Sequence, residues 1–364
     1  MTGFFERNRE RLEQFARVSK SVGARADYVQ GGGGNTSVKL GEGLMAIKAS
    51  GFCLKDIEPD KAYAVLDSEA LRNFYFDSEP GDFEDVEKAG SAKAKENTKE
   101  IQGLARLRPS VEAGFHSVLD RYVAHSHSVY GNLAACAVEC TRILRQALEG
   151  ADYVWGEVAY ADPGARLTFG IRDELKRVEE KTGVRPAAIF LRNHGLIVYH
   201  DDPDECLRIH QDVNDRIAAH FGMSGNAFPA VGIARRGDGL MEADVPFLAD
   251  MIRSGEFDEA FFLETPLYPD QMVFLVGTFA FGKGTPEPDH CLADPVSGDL
   301  VFNMPETRAR VIAETLTAVT FIAHNIRAAG YELSTMGEAA KHFIANWESE
   351  KYRKSLAGKK QPEG

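Results

Sequence analysis

Apolar residues return at helical spacing from the first turn of the chain. Phe5, Leu12, Phe15 and Val18 fall on one face and predict an amphipathic helix over 5–21. A run of four glycines, Gly31 to Gly34, follows it. Thr36 to Leu40 and Leu44 to Ala49 then read as two short strands joined by Gly41-Glu42-Gly43. From 77 to 99 the apolar pattern gives way to a charged, Ala/Gly-rich stretch, expected to be a mobile, partly helical surface insertion. Arg108-Pro109-Ser110 predicts a helix start with Ser110 as N-cap and Phe115, Val118, Leu119 and Tyr122 on one face. Ala188 to Leu191 is strand-like, breaks at Arg192-Asn193-His194-Gly195, and resumes over Leu196 to Tyr199. Asp202-Pro203 opens a helix with Cys206, Ile209, Val213 and Ile217 as its apolar stripe, ending near Gly222.

The Gly/Pro-containing stretch 222–239 is the best boundary. Beyond it the pattern predicts a helix over 242–255, a strand from Met272 to Phe281, a hairpin through Asp294-Pro295-Val296-Ser297-Gly298, and helices over 306–329 and 336–356. The expected organisation is a layered α/β unit over 1–222, carrying the 77–99 insertion, and an α+β extension over 223–364.

Composition narrows the function. An apolar fraction of 44% over 364 residues supports a packed core. A net charge of −13 argues against nucleic acid or an anionic membrane as the main partner, and leaves room for one local cationic pocket. Five cysteines, Cys53, Cys136, Cys140, Cys206 and Cys291, imply no disulfide framework and suit a reducing cytoplasm. Cys136 and Cys140, four apart in an Ala-rich helix-like run, read as small buried side chains. The opening residues show no apolar signal core, and no 18-residue apolar run occurs.

The chemistry concentrates in His125-Ser126-His127. In a strand, residues i and i+2 share a face, so both imidazoles can reach one metal, although two histidines in a turn would also fit the pattern. His194, at a strand end, supplies a third imidazole, and Glu112 at the start of the preceding helix supplies a carboxylate or merely favours the helix dipole. Three histidines and a carboxylate compose a catalytic zinc site with an open position. His116, one turn from Glu112, reads as packing or support. His200, His210, His220, His290, His324 and His342 have no partners at metal spacing. No G-x-G-x-x-G opening a helix, G-x-S-x-G elbow, P-loop or CxxC pair supports a competing chemistry.

Five ordered pieces carry a resemblance: Gly34-Asn35-Thr36-Ser37-Val38, Ile47-Lys48-Ala49-Ser50-Gly51, Ser110-Val111-Glu112 with Phe115-His116, His125-Ser126-His127, and Asn193-His194-Gly195. In these the chain is similar to the class II aldolase/adducin family, which includes fuculose- and rhamnulose-phosphate aldolases and ribulose-phosphate 4-epimerase. Pro266-Leu267-Tyr268-Pro269-Asp270 and Trp347-Glu348-Ser349-Glu350-Lys351-Tyr352-Arg353 resemble the region after the aldolase portion of long members fused to a dehydrogenase. The resemblance implies a three-layer α/β/α fold with a mixed, largely antiparallel sheet. It also implies zinc on His125, His127 and His194, Glu112 as acid/base, and Asn35, Ser50 and Gly51 around a substrate phosphate.

Gly34, Thr36, Lys48 and Ser110 join that phosphate group as candidates, Lys48 having a strand's solvent face as its alternative. Val111, where family aldolases often carry a hydroxyl, weakens the phosphate assignment. The implied reaction is reversible aldol cleavage of a small ketose phosphate or hydroxy-keto compound through a metal-stabilised enediolate. Tyr160 is a candidate acid for the leaving alkoxide or a buried aromatic. A 4-epimerase or decarboxylase on the same metal, and an adducin-like binding module, are the alternatives. The resemblance further implies a homo-oligomer, with a tetramer favoured.

Overall fold

The computed structural model describes residues 3–346. The last part of the helix expected over 336–356, and the motif from Trp347 to Arg353, lie outside the described residues.

Eight short strands form the central sheet: β1 (Asn35–Lys39), β2 (Leu44–Lys48), β3 (Tyr63–Asp67), β4 (Thr98–Lys99), β5 (Tyr122–Ser126), β6 (Trp155–Val158), β7 (Ala188–Leu191) and β8 (Gly195–His200). Their order is β4-β3-β2-β1-β5-β8-β7-β6. Every neighbouring pair is antiparallel except β6 and β7. Strands β7 and β8 are apolar on both sides because both faces are covered. Ala188, Phe190, Leu196 and Val198 join one core, while Ile189, Leu191, Ile197 and Tyr199 join the other.

Helices α1 (Phe4–Gly23), α5 (Val129–Ala135), α6 (Cys140–Ala147) and α8 (Pro203–His220) cover the first face. Helices α2 (Ser68–Phe76), α3 (Val86–Glu96), α4 (Ala113–Val118) and α7 (Ala165–Thr182) cover the second. The result is the three-layer α/β/α arrangement. In α8 the Asp202 carboxylate accepts the Asp204 and Glu205 amides, Pro203 sits in the first turn, and Cys206, Ile209, Val213 and Ile217 are buried.

The C-terminal region adds a five-stranded sheet, β11-β12-β13-β10-β9. Its strands are β9 (Gly232–Arg235), β10 (Met241–Asp244), β11 (Phe279–Phe281), β12 (Cys291–Ala293) and β13 (Leu300–Phe302). Its helices are α9 (Pro246–Ser254), α10 (Glu259–Glu264), α11 (Pro269–Leu275), α12 (Glu306–Ala328) and α13 (Glu338–Asn346). This is the α+β extension, with the expected hairpin between β12 and β13. Helix α12 packs on α5 and α11, so the first core runs from the central sheet into the extension.

Four expectations are corrected. The helix expected from Ser110 is only α4; Glu112 holds its N-cap position, and Tyr122 already belongs to β5. Residues 242–244 are strand β10, because Pro246 fixes the helix start and favours extended backbone before it. Met272 to Leu275 lies in helix α11, opened by Pro269, and only Phe279–Phe281 is strand; a short apolar run fits either element by pattern alone. The 77–99 insertion is tied into the fold rather than loose. Its β4 pairs with β3, Val86 is buried, and the Glu87 carboxylate caps α7 by accepting the Ala165 and Arg166 amides at 2.8 and 2.9 Å. The run holding Cys136 and Cys140 splits into α5 and α6, and both thiols are buried and unbridged. Among the described residues no helix is long and apolar enough to cross a membrane.

Candidate metal centre and active site

The end of β5 delivers two imidazoles to one place. His125 points with Val123 to the second face, edge-on to Phe115, and His127 follows one residue beyond the strand. Ser126 turns to the opposite face, where its hydroxyl meets His210 Nε2 at 2.8 Å. His194 comes from the turn between β7 and β8. There Asn193 adopts a positive φ of 52°, a conformation asparagine tolerates better than most residues. The potential ligand atoms of His125, His127 and His194 all lie within 4.8 Å of one another, and all three residues are buried.

Two of the three rings, His125 and His127, are held from behind. His125 Nδ1–H donates to the Leu196 carbonyl at 3.1 Å, and His127 Nδ1–H donates to Asp270 Oδ2 at 2.5 Å. These acceptors require the proton on Nδ1, which leaves the Nε2 lone pairs of His125 and His127 facing the site. Neither Nε2 has a hydrogen-bond partner among the described residues. Burial first, and the neighbouring imidazoles second, hold the His125 pKa well below the ordinary range, so the ring is neutral. A buried polar atom without a partner costs about 1–3 kcal/mol, and a divalent cation relieves two such atoms at once. The residues present therefore fit a divalent metal, with zinc suited to an all-imidazole set.

Glu112 completes the group. Its side chain does not cap α4; it turns inward, with Oε2 3.6 Å from His125 Nε2 and Oε1 3.4 Å from His194 Nε2. The carboxylate is held by Asn35, whose Nδ2 donates to Glu112 Oε2 at 2.5 Å and to Ser110 Oγ at 3.1 Å. Asn35 Oδ1 in turn accepts from His116 Nε2, and His116 Nδ1 meets Ser37 Oγ at 2.7 Å. Strand register makes this possible, since Asn35 lies opposite His125 on the neighbouring strand. His116 is thus support for the site, as its spacing suggests, and burial keeps it neutral.

The same alternation removes Thr36. Its hydroxyl faces α1 and bonds Ser19 Oγ at 2.7 Å, so it does not reach the cavity. Gly34, Asn35, Lys48, Ser50, Gly51 and Ser110 do line one cavity together with Glu112, His127 and His194. Lys48 is 5% exposed, so its solvent-face alternative does not hold; its Nζ donates to the Gly32 and Phe52 carbonyls at 3.3 and 2.9 Å. Val111 also lines the cavity. Tyr160 does not. It packs with the cluster of Val273, Phe274 and Met336, where burial holds its phenol above the ordinary range. Sequence reasoning missed Asp270 and Pro269 as site residues, although both stand in the quoted Pro266–Asp270 motif. A larger groove of about 720 Å³ lies against β6, lined by Arg145, Trp155, Arg177 and Arg192, among others, but no histidine cluster borders it.

The profile of the Class II Aldolase and Adducin N-terminal domain matches residues 13–217. No curated protein sequence gives a significant match. Among solved structures, the N-terminal class II aldolase domain of a conserved protein from Thermoplasma acidophilum is 21% identical with a TM-score of 0.46, over 57% of this chain and 91% of its own. A sugar-phosphate aldolase from Thermotoga maritima is 14% identical with a TM-score of 0.41, over 59% and 94%. An L-fuculose-1-phosphate aldolase from Thermus thermophilus is 16% identical with a TM-score of 0.36, over 57% and 93%. With the family profile matched over more than half of its length, the chain belongs to the class II aldolase/adducin family.

Proposed function

We propose that the chain is a zinc-dependent aldolase that reversibly cleaves a small ketose phosphate or a related hydroxy-keto compound. The supporting observation is the meeting of three buried imidazoles with one buried carboxylate, two of the imidazoles presenting unpartnered Nε2 atoms. When bound on His125, His127 and His194, the ion supplies Lewis-acid stabilisation of negative charge on the substrate's carbonyl oxygen.

The remaining work falls to side chains. Glu112 exchanges a proton with the carbon beside that carbonyl, a role worth roughly 10²–10⁴-fold in rate. Asn35 fixes the carboxylate through Oε2. Lys48 and the hydroxyls of Ser50 and Ser110 border the end of the cavity where a phosphate would sit, with Asn35, Gly34 and Gly51 beside them. Val111 contributes no hydroxyl there, so non-phosphorylated substrates belong in the same test. Tyr160, packed away from the cavity, has no acid role in this proposal. A homo-oligomer, with a tetramer as the expected form, belongs to the same reading. An adducin-like binding role has no use for three converging histidines.

The test is metal analysis of the purified protein, followed by a retro-aldol screen over ketose 1-phosphates, unphosphorylated ketoses and keto-acids with zinc, manganese and cobalt. Bound divalent metal, its loss in His125→Ala, and metal-dependent cleavage are expected. Protein that takes up no metal and cleaves nothing after zinc loading refutes the proposal; an epimerised or decarboxylated product moves the reaction to the alternative.

A further inference from the structure

The family profile ends at residue 217, yet the metal centre does not. Asp270, on α11 of the C-terminal extension, is fully buried and accepts the Nδ1 proton of His127 at 2.5 Å. The segment carrying it is fixed on both sides. Gln271 takes the Leu267 amide at 2.8 Å and donates to the Phe261 and Phe262 carbonyls. The Leu267 carbonyl accepts Asn193 Nδ2 at 3.0 Å, beside His194, and the Ser334 carbonyl accepts the same amide at 2.8 Å. The extension therefore sets one ligand directly and holds the turn that carries another. The glycine loop leaves room for this. A Cβ on Gly33 would lie 2.6 Å from Asp270 Oδ2 and 2.9 Å from His127 Nδ1. On the same loop, the Gly31 amide donates to Glu314 of α12 at 3.2 Å.

We propose that Asp270 is a positioning residue for the metal centre, and that docking of the C-terminal extension and metal binding stabilise each other through the Asp270–His127 hydrogen bond. This rests on the metal reading above and adds to it the part of the chain beyond the family profile. A carboxylate on Nδ1 fixes the tautomer that leaves Nε2 free, locks the ring's rotation, and makes the imidazole a stronger donor. Removing such a partner lowers metal affinity by about 10- to 100-fold. Because coupling between two binding events is reciprocal, metal must also hold α11 more firmly in place.

The experiment uses the full chain, zinc as the probe, and competition with a chromophoric chelator to read affinity. Asp270→Ala is expected to weaken zinc binding by about 10- to 100-fold. Asp270→Asn keeps an acceptor oxygen without the charge and should fall between Ala and wild type, which keeps the test sound if the Ala variant folds poorly. Asp258→Ala serves as the structural control. It weakens the cap on α10, where Asp258 accepts the Phe261 amide at 2.8 Å, and should lower Tm while leaving zinc affinity unchanged. Hydrogen exchange of residues 267–275 should slow on zinc addition in wild type and not in Asp270→Ala. Wild-type zinc affinity in both Asp270 variants, or an equal loss in the Asp258 control, overturns the proposal. Wild-type protein that binds no zinc overturns the metal reading itself, and this one with it.

Discussion

Asn35→Ala tests whether the Glu112 carboxylate is held by a hydrogen-bond relay or merely sits beside it. The substitution strips a partner from three buried groups at once: Glu112 Oε2, Ser110 Oγ and His116 Nε2. A bond to a charged acceptor is worth about 1.5–3 kcal/mol and a neutral one about 1 kcal/mol. Glu112 and Ser110 border the cavity, so solvent can replace part of what they lose. His116 is fully buried with no such recourse, and its ring proton is left without an acceptor. The expected net cost is about 2–4 kcal/mol. Thr36→Val, one residue along the same strand on the other face, breaks only the bond to Ser19 and should cost about 1 kcal/mol. Urea unfolding at constant m-value reads both numbers. A double-mutant cycle with His116→Phe should give a coupling of about 1–2 kcal/mol. If Asn35→Ala costs no more than Thr36→Val, or shows no coupling to His116, the relay does not hold Glu112 and the argument fails.

Three further outcomes are expected. Glu112→Gln should retain bound metal and lose roughly 10²–10⁴-fold in turnover, measured in the retro-aldol assay that wild type passes; full activity would remove Glu112 from the chemistry. Glu87→Ala removes the cap from α7 and should cost about 1–2 kcal/mol by urea midpoint with metal content unchanged, and no loss would mean the insertion does not brace that helix. Lys39, whose Nζ donates to the His116 and Asp120 carbonyls, is pushed down to about 7 by burial, with Asp120 opposing. Between pH 7 and the ordinary lysine range the unfolded chain binds a proton the native state lacks, so stability should rise with pH there, by as much as ~3 kcal/mol near pH 9.5. Lys39→Met should flatten that rise, and an unchanged pH profile would contradict it.

What the sequence made legible follows from local periodicity. Period 2 places His125 and His127 on one side of a strand end, and the broken strand before Gly195 places His194 at another; the structure brings all three together. The same rule, applied to β1, would have separated Asn35 from Thr36, because neighbours on a strand face opposite layers. Treating the motif as a contiguous run hid this. Asp270 was illegible for a different reason. It stands 143 residues from His127, and no spacing rule connects a helix's first turn to a distant imidazole. Met272 to Leu275 failed as a strand because four apolar residues carry no period of their own, and Pro269 decided the matter.

The glycine run is where these strands of reasoning meet. Four glycines before a strand suggest backbone amides converging on an anion. Two of those amides are already committed: Gly31 N–H donates to the Glu314 carboxylate and Gly33 N–H to the Gln30 carbonyl at 3.0 Å. Burial raises the Glu314 pKa, and neither Glu314 nor Gly31 lines the cavity. Glycine at position 34 has a nearer cause: its φ is 63°, and a Cβ there would press on the His125 carbonyl at 2.5 Å. The loop therefore brings the extension and the end of β5 together, so that one short segment packs against both. Lys48 and the hydroxyls of Ser50 and Ser110 border the same cavity from the neighbouring strand, the residues after it and the loop before α4.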